Sequence, residues 1–113
     1  MTALLAALMA LGLHATAPPP EVRCPPDLEN CRAATGRIVY VESVDPDGDG
    51  DLHVVVAAGG ISLPGLTSLD VSKDLRPARD PHIGQRAGGA GPVYRGSFGQ
   101  RQVQVVRFRV FDR

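Results

Sequence analysis

The sequence predicts an all-β domain, and three observations support this fold class. Short segments rich in β-branched and apolar residues recur along the chain, as they do in proteins built from strands. Clusters of glycine, proline and aspartate separate these segments, and such clusters form turns. The longest connection, residues 72–84, contains two prolines and lacks the 3.6-residue apolar spacing of a helix. The 113 residues are enough for one domain.

Five short strands are predicted along the chain, at residues 37–44, 52–58, 61–71, 86–95 and 101–111. Pro64-Gly65 interrupts the third strand, which suits an edge or a bulge. The alternation of the last strand changes phase at Val105-Val106, which predicts a bulge or burial on both sides there. At most one helical turn is expected, at residues 70–75.

Five strands with a longer connection before the fourth predict a small OB-like β-barrel, because a crossover joins strands three and four of that fold. An SH3-like barrel and an incomplete sandwich stay open as alternatives. The barrel domain is predicted to span residues 36–113. Its core must consist of Val, Leu and Ile, because the chain has no Trp and few other aromatic residues.

The beginning of the chain predicts a signal peptide, residues 1–17. Residues 1–13 form an apolar run too short to span a bilayer as a helix, which needs about 20 residues. Small residues follow, with an A-x-A pattern at Ala15 and Ala17. No Lys or Arg precedes the run, so an uncleaved anchor or a buried first element is the alternative. We therefore expect an exported protein, periplasmic or extracellular, without stable membrane insertion after cleavage.

Residues 18–35 form a proline-rich segment that contains the two cysteines, Cys24 and Cys31. Their spacing fits neither a C-x-x-C redox motif nor half of a zinc ribbon. In an oxidising compartment, two cysteines this close together predict a local disulfide. Closing so short a loop is worth roughly 2–3 kcal/mol of stability by the chain-entropy estimate.

The formal net charge is zero, but the charge is unevenly spread along the chain. Residues 18–72 contain three basic and nine acidic residues, a balance of −6, whereas residues 73–113 contain nine basic and three acidic residues, a balance of +6. Such asymmetry gives either a dipolar surface or an attraction between the two halves of the fold. We favour attraction, because interleaved strands would place the halves side by side.

Two stretches, "GRIVYVESVDPDGDGDLHVVV" and "GQRAGGAGPVYRGSFGQRQVQVVRF", carry a resemblance to a known group of proteins. The chain resembles small exported bacterial OB-fold-like proteins of unassigned function, over residues 36–110. The shared features are an acidic "DGDGD" turn after a strand, a histidine on the second strand, and a "GPV" strand that leads through a polar turn into a final strand. The resemblance implies the fold and export, and it implies no particular activity.

The loop after the first strand is a candidate calcium site. Asp45, Asp47 and Asp49 occupy the first, third and fifth positions of an EF-hand loop, and Asp51 occupies the seventh. Alternate carboxylates on a tight turn converge on one point. However, Val56 stands at the twelfth position, where an EF-hand has a bidentate glutamate. The alternative is a solvated Asp/Gly turn, since both residues favour turns.

The loop after the fourth strand, together with the aspartate-rich loop, would form a ligand-binding rim, because these two loops flank the binding face of an OB-fold. Tyr94 and Phe98 could stack on a flat ligand, and Arg95 and Arg101 could hold an anion. His53 lies at the start of the second strand beside this rim. A zinc site would need a further ligand, so a hydrogen-bonded histidine is the preferred interpretation.

The sequence therefore predicts an exported, non-catalytic binding or interaction module with an unknown ligand or protein partner. The alternative is a calcium-stabilised structural domain, in which Ca²⁺ would be the one bound cofactor. A single-stranded nucleic-acid-binding domain is less favoured, because the net charge is zero and an acidic loop lies on the same rim. No motif in the sequence combines a nucleophile, a base and an acid as catalysis would require.

Overall fold

The computed structural model describes residues 20–43, 48, 50–96 and 98–111, and the described residues form strands and turns without a helix. None of them forms a helix long and apolar enough to span a membrane. The predicted signal peptide, residues 1–17, lies outside the described residues. The strands are β1 (Cys31–Glu42), β2 (Leu52–Val56), β3 (Thr67–Val71), β4 (Arg86–Arg95), β5 (Arg101–Gln104) and β6 (Arg107–Phe111).

The six strands form one sheet, in the order β1-β2-β3-β5-β4-β6. An additional pairing between β1 and β4 closes a ring of five strands, and β6 extends the sheet beyond β4. The β3–β5 pair is parallel, and the other neighbouring pairs are antiparallel. The predicted all-β class is therefore confirmed. Strands from the acidic first half (β1 and β3) pair with strands from the basic second half (β4 and β5).

β1 takes part in two ladders because it is long and bends. Its first part, Cys31 to Arg37, pairs with β4, and its second part, from Ile38 to Glu42, pairs with β2. The register shifts between Ile38 and Tyr40, at the change of partner. The strand predicted at residues 37–44 therefore began six residues too late. The missed part, "CRAATG", contains few typical strand-forming residues, and its pairing with β4 makes it extended.

The predicted last strand, residues 101–111, is divided into β5 and β6 at Val105-Val106, where the phase change was expected. The amide of buried Val105 donates to Asp70 O on β3 at 3.1 Å. The amide of exposed Val106 donates to Ala90 O on β4 at 2.7 Å. The amides of two consecutive residues thus donate hydrogen bonds to different strands. This interruption of the strand lies where the sequence predicted a bulge or burial on both sides.

The core consists of aliphatic side chains on the inward faces of the strands, as predicted. The largest completely buried aliphatic side chains are Ile38, Leu52, Leu69, Val54, Val56, Val71 and Val103. β4 supplies mainly Ala and Gly to this interior. At Gly91 the chain after β5 passes so close that a Cβ atom would overlap the carbonyl oxygen of Gln104. Glycine at this position allows β4 to bend against the β5–β6 junction.

The connections on either side of β3 contain tight turns. The third strand, predicted at residues 61–71, begins only at Thr67, because Leu63 and Leu66 pair across a tight turn that contains Pro64-Gly65. After β3, Leu75 N donates to Ser72 O at 2.9 Å. This turn agrees with the expectation of at most one helical turn in this connection.

The segment before β1 crosses the outer face of the β1–β4–β6 part of the sheet. The amide of Val22 donates to Thr35 Oγ1 at 2.9 Å, and Arg107 Nη1 donates to Arg23 O at 3.1 Å. The predicted disulfide between Cys24 and Cys31 is present, with the two Cα atoms 6.0 Å apart. The disulfide therefore ties this segment to the first residue of β1.

Candidate functional site

Of the predicted calcium loop, residues 45–51, the structure describes Gly48, Gly50 and Asp51. Asp45, Asp47 and Asp49 lie outside the described residues, and Asp51 lies directly before β2. Within residues 20–43, 48, 50–96 and 98–111, no group of three or more His, Cys, Asp or Glu residues could hold a metal ion. The calcium site stays a prediction.

A row of polar side chains crosses the outer face of β1, β2 and β3. β2 alternates strictly: Leu52, Val54 and Val56 are buried, and His53 points to the other face. The strand register places Glu42 of β1 directly opposite His53, and His53 directly opposite Asp70 of β3. Sheet pairing alone therefore brings these three side chains together.

Both ring nitrogens of His53 face carboxylate oxygens. Nδ1 lies 3.4 Å from Glu42 Oε1, and Nε2 lies 3.4 Å from Asp70 Oδ1. These are ion-pair distances, yet the buried Oδ1 accepts no hydrogen bond from the described residues. The imidazole therefore lies between two acidic groups.

Asp70 is only 5% exposed, and its second oxygen connects the row to β4 and β5. Tyr94 Oη donates a short hydrogen bond to Asp70 Oδ2. Gln102 Nε2 donates to Tyr94 Oη at 2.7 Å and lies 3.5 Å from Asp70 Oδ2. Gln100 Nε2 extends the network to Gln102 Oε1 at 3.4 Å. The polar network thus spans five strands, from Glu42 on β1 to the loop before β5.

The environment of Tyr94 keeps its hydroxyl protonated. Burial and the hydrogen bond to Asp70 raise the pKa of Tyr94 to about 12, and the hydrogen bond from Gln102 opposes this shift. The phenol is therefore a constant donor to the Asp70 carboxylate at neutral pH. Its hydroxyl forms hydrogen bonds within the domain, to Asp70 and from Gln102.

A cleft of about 460 Å³ opens on the outer face beside this network. The loop between β2 and β3 bounds one side, and the loop between β4 and β5 bounds the other. Apolar side chains supply half of the lining residues: Val39, Tyr40, Val55, Leu63, Leu66 and Phe98. Polar side chains supply the other half: Glu42, His53, Ser62, Ser68, Gln100 and Gln102.

Two aromatic rings in the cleft are open to solvent. Tyr40 on β1 is 52% exposed, and Phe98 in the β4–β5 loop is 95% exposed. Large apolar groups in such positions are available to contact a ligand, because they contribute little to the core of the domain. Among the described residues that line the cleft, Glu42 is acidic and none is Lys or Arg. The cleft therefore suits an apolar group that is neutral or positively charged.

The structure places the predicted rim residues in three different locations relative to the cleft. His53 and Phe98 line the cleft. Tyr94 lies behind it, bonded to Asp70. Arg95 and Arg101 face each other across β4 and β5, outside the cleft lining, and Arg95 Nη1 donates to Gly99 O at 2.8 Å.

Sequence reasoning missed two prominent residues of the cleft, Tyr40 and Glu42. A signal for them was present, because the two residues stand two positions apart in the first predicted strand and so share one face. A tyrosine and a glutamate on one face of an otherwise apolar strand indicate an outward, functional surface. The register of β1 with β2 was needed to place them beside His53.

Comparison with known proteins assigns no family: no family model matches the chain, and no curated protein is significantly similar to it.

Proposed function

We propose that the protein is an exported, non-catalytic binding module built on a five-stranded OB-like barrel. Four observations support the fold: the ring of five paired strands, the parallel β3–β5 pair, the absence of a helix in the described residues, and the bent final strand β5–β6. The disulfide supports export, because such bonds persist in oxidising compartments. Signal-peptide cleavage within residues 1–17 would deliver the mature domain.

The cleft carries the functional part of the proposal. In OB-folds, ligands bind over strands two and three and between the first–second and fourth–fifth strand loops. Here the cleft lies on β1, β2 and β3, with Phe98 and Gln100 of the β4–β5 loop at its side. The cleft therefore overlaps the position that OB-folds use at strands two and three and the fourth–fifth strand loop. Its described lining contains residues of the β2–β3 loop in place of the predicted Asp-rich loop.

The ligand class follows from the lining. An aromatic or flat apolar group would pack against Tyr40 and Phe98, and its polar or cationic end would meet Glu42. The serine and glutamine side chains of the cleft provide hydrogen bonds for orientation. The ligand is a small organic molecule or an exposed segment of a partner protein that bears such a group.

A fluorescence titration tests this proposal with N-phenyl-1-naphthylamine, a neutral aromatic probe. We expect saturable binding that Phe98→Ala weakens by about ten-fold, because a stacked ring is worth about 1–3 kcal/mol. Ile83→Ala is the matched control, since Ile83 is an exposed apolar residue outside the cleft lining. Absence of saturable binding, or an equal loss in both variants, would contradict the proposal.

The charge preference is tested with two probes of similar shape, phenethylamine and 3-phenylpropionate. The amine should bind more tightly than the carboxylate, and Glu42→Gln should abolish the difference. A carboxylate preference in the native protein would contradict the assigned ligand class.

The calcium-stabilised domain remains the second prediction from the sequence. If it is correct, millimolar Ca²⁺ raises the Tm above a Mg²⁺ control, and Asp47→Asn with Asp49→Asn removes that response.

A further inference from the structure

The outer face of the β1–β4–β6 sheet carries a cluster of arginines that the cleft does not use. The register aligns Arg37, Arg86 and Phe111 in one row across the three strands. The next row contains Thr35, Gly88 and Arg109, and the row after it contains Ala33, Ala90 and Arg107. Directly opposite residues of an antiparallel sheet point to the same side, so the four arginines share one face. We call the surface formed by Arg37, Arg86, Arg107 and Arg109 the arginine face.

The spacing of the arginine face follows from sheet geometry. Neighbouring strands lie about 4.8 Å apart, and residues on one face of a strand recur about every 6.8 Å. The four Cα atoms therefore fall within about 14 Å along the strands and about 10 Å across them. The sheet residues between them are small, and the segment before β1 crosses this part of the face, where Arg107 Nη1 donates to Arg23 O at 3.1 Å. Arg37, Arg107 and Arg109 are nevertheless exposed, whereas Arg86 is half-buried.

No acidic partner neutralises these charges within the described residues. No carboxylate of residues 20–43, 48, 50–96 or 98–111 forms an ion pair with any of the four guanidinium groups. Glu21, in the segment that crosses this face, pairs with Arg23 at 3.1 Å, and Arg23 is a further cation there. The face is therefore positively charged as a whole.

Two details show that the charge of the arginine face is not matched among the described residues. Arg37 and Arg86 stand directly opposite each other, and like charges in that position destabilise a sheet. Nε of Arg86 is buried and donates no hydrogen bond to the described residues. An anion at the exposed ends of these side chains would relieve the repulsion, because charge-assisted bonds to guanidinium groups are strong.

We propose that the arginine face binds the surface of a bilayer that contains anionic phospholipids. The charges are spread in two dimensions over three strands, which suits a planar array of phosphate groups. Phe111, the one aromatic residue in the three rows, is only 9% exposed, and the guanidinium group of Arg109 lies 5.0 Å from the centre of its ring. The ring of Phe111 is therefore not available to stack on nucleic-acid bases. The arginine face and the cleft are separate surfaces, so the protein could hold its ligand while it lies on a membrane.

Vesicle co-sedimentation of the full chain tests the proposal. Vesicles with equal parts of phosphatidylglycerol and phosphatidylcholine should bind the protein at low salt, and pure phosphatidylcholine vesicles should bind it much less. Arg107→Gln with Arg109→Gln should reduce the partition coefficient on the anionic vesicles by about 30-fold, since each arginine near such a surface contributes about five-fold. Added salt should weaken binding, because it screens the charges.

The control is Arg95→Gln with Arg101→Gln, which makes the same change in net charge on another face and should alter partitioning by less than about two-fold. A thermal melt checks that each variant is folded, and Arg37→Gln replaces the double variant if that one unfolds. Equal binding to both vesicle types, or equal losses in the two double variants, would overturn the proposal. Competition by a single-stranded oligonucleotide that also depends on Arg107 and Arg109 would overturn it in favour of nucleic acid. Probe binding in the cleft is a separate readout, so the two proposals fail independently.

Discussion

Removal of one oxygen atom from Tyr94 should destabilise the domain. The Tyr94 hydroxyl donates to the buried carboxylate of Asp70 and accepts from Gln102. In the Tyr94→Phe variant, the buried side chain of Asp70 loses this donor. The amide of Gln102 lies 3.5 Å from Asp70 Oδ2, too far to replace the lost bond fully.

The expected loss is about 2 kcal/mol. A hydrogen bond to a charged group contributes about 1.5–3 kcal/mol, and a buried acceptor left without its donor costs a similar amount. Tyr94 is 38% exposed, so water can partly replace the hydroxyl, and the lower half of that range applies. For a domain of this size, about 2 kcal/mol lowers the Tm by about 8–16 °C.

Urea unfolding and thermal unfolding, both followed by circular dichroism, measure this loss. The matched control is Tyr40→Phe, which removes the same atom from a tyrosine that is 52% exposed on the cleft and has no hydrogen-bond partner for its hydroxyl among the described residues. That variant should change the free energy of unfolding by less than about 0.5 kcal/mol. Equal stability of the two variants would refute the assigned role of the Tyr94–Asp70 bond.

Two further predictions concern other parts of the fold, and a third concerns the pH dependence that Tyr94 causes. Gly91→Ala should destabilise the domain by more than about 3 kcal/mol, because the added Cβ overlaps Gln104 O; urea unfolding measures the loss, and a stable variant would contradict the close approach. Replacing both Cys24 and Cys31 with serine should lower the free energy of unfolding by about 2.5 kcal/mol and make the Tm insensitive to reducing agent. The free energy of unfolding should fall between about pH 10 and pH 12. In this range Tyr94 ionises in the unfolded chain, whose tyrosine pKa is about 10, but stays protonated in the folded protein, where its pKa is raised to about 12. After allowance for the solvent exposure of Tyr94, this decrease should be about 1–1.5 kcal/mol larger than in the Tyr94→Phe variant, which lacks the ionisation of Tyr94.

Features that depend on local sequence were predictable. Leu52–Val56 alternates apolar and polar residues, and the strand forms at that position. The bounds of β4, Arg86–Arg95, are those of the glycine-rich fourth strand that the sequence predicted. The division of the last strand at Val105-Val106 was visible as a change in alternation, which predicted either a bulge or burial on both sides there.

Features that depend on partner strands could not be predicted in the same way. The beginning of β1, Cys31 to Arg37, has little strand propensity, and it is extended because it pairs with β4, which lies 49 to 61 residues later in the chain. The cleft also depends on non-local register. Glu42, His53 and Asp70 are aligned only because β1, β2 and β3 pair with one particular register, and the irregularity at Ile38 shifts that register by one residue.

Amide chemical-shift mapping with N-phenyl-1-naphthylamine locates the binding site most directly. In a uniformly ¹⁵N-labelled sample, the amides of Tyr40, His53, Ser68 and Gln102 should shift together as the probe saturates the cleft. The amides of β6, which contributes no residue to the described cleft lining, should stay unchanged. Shifts centred on β6, or no saturable shifts at all, would contradict the assignment of the outer cleft as the ligand site.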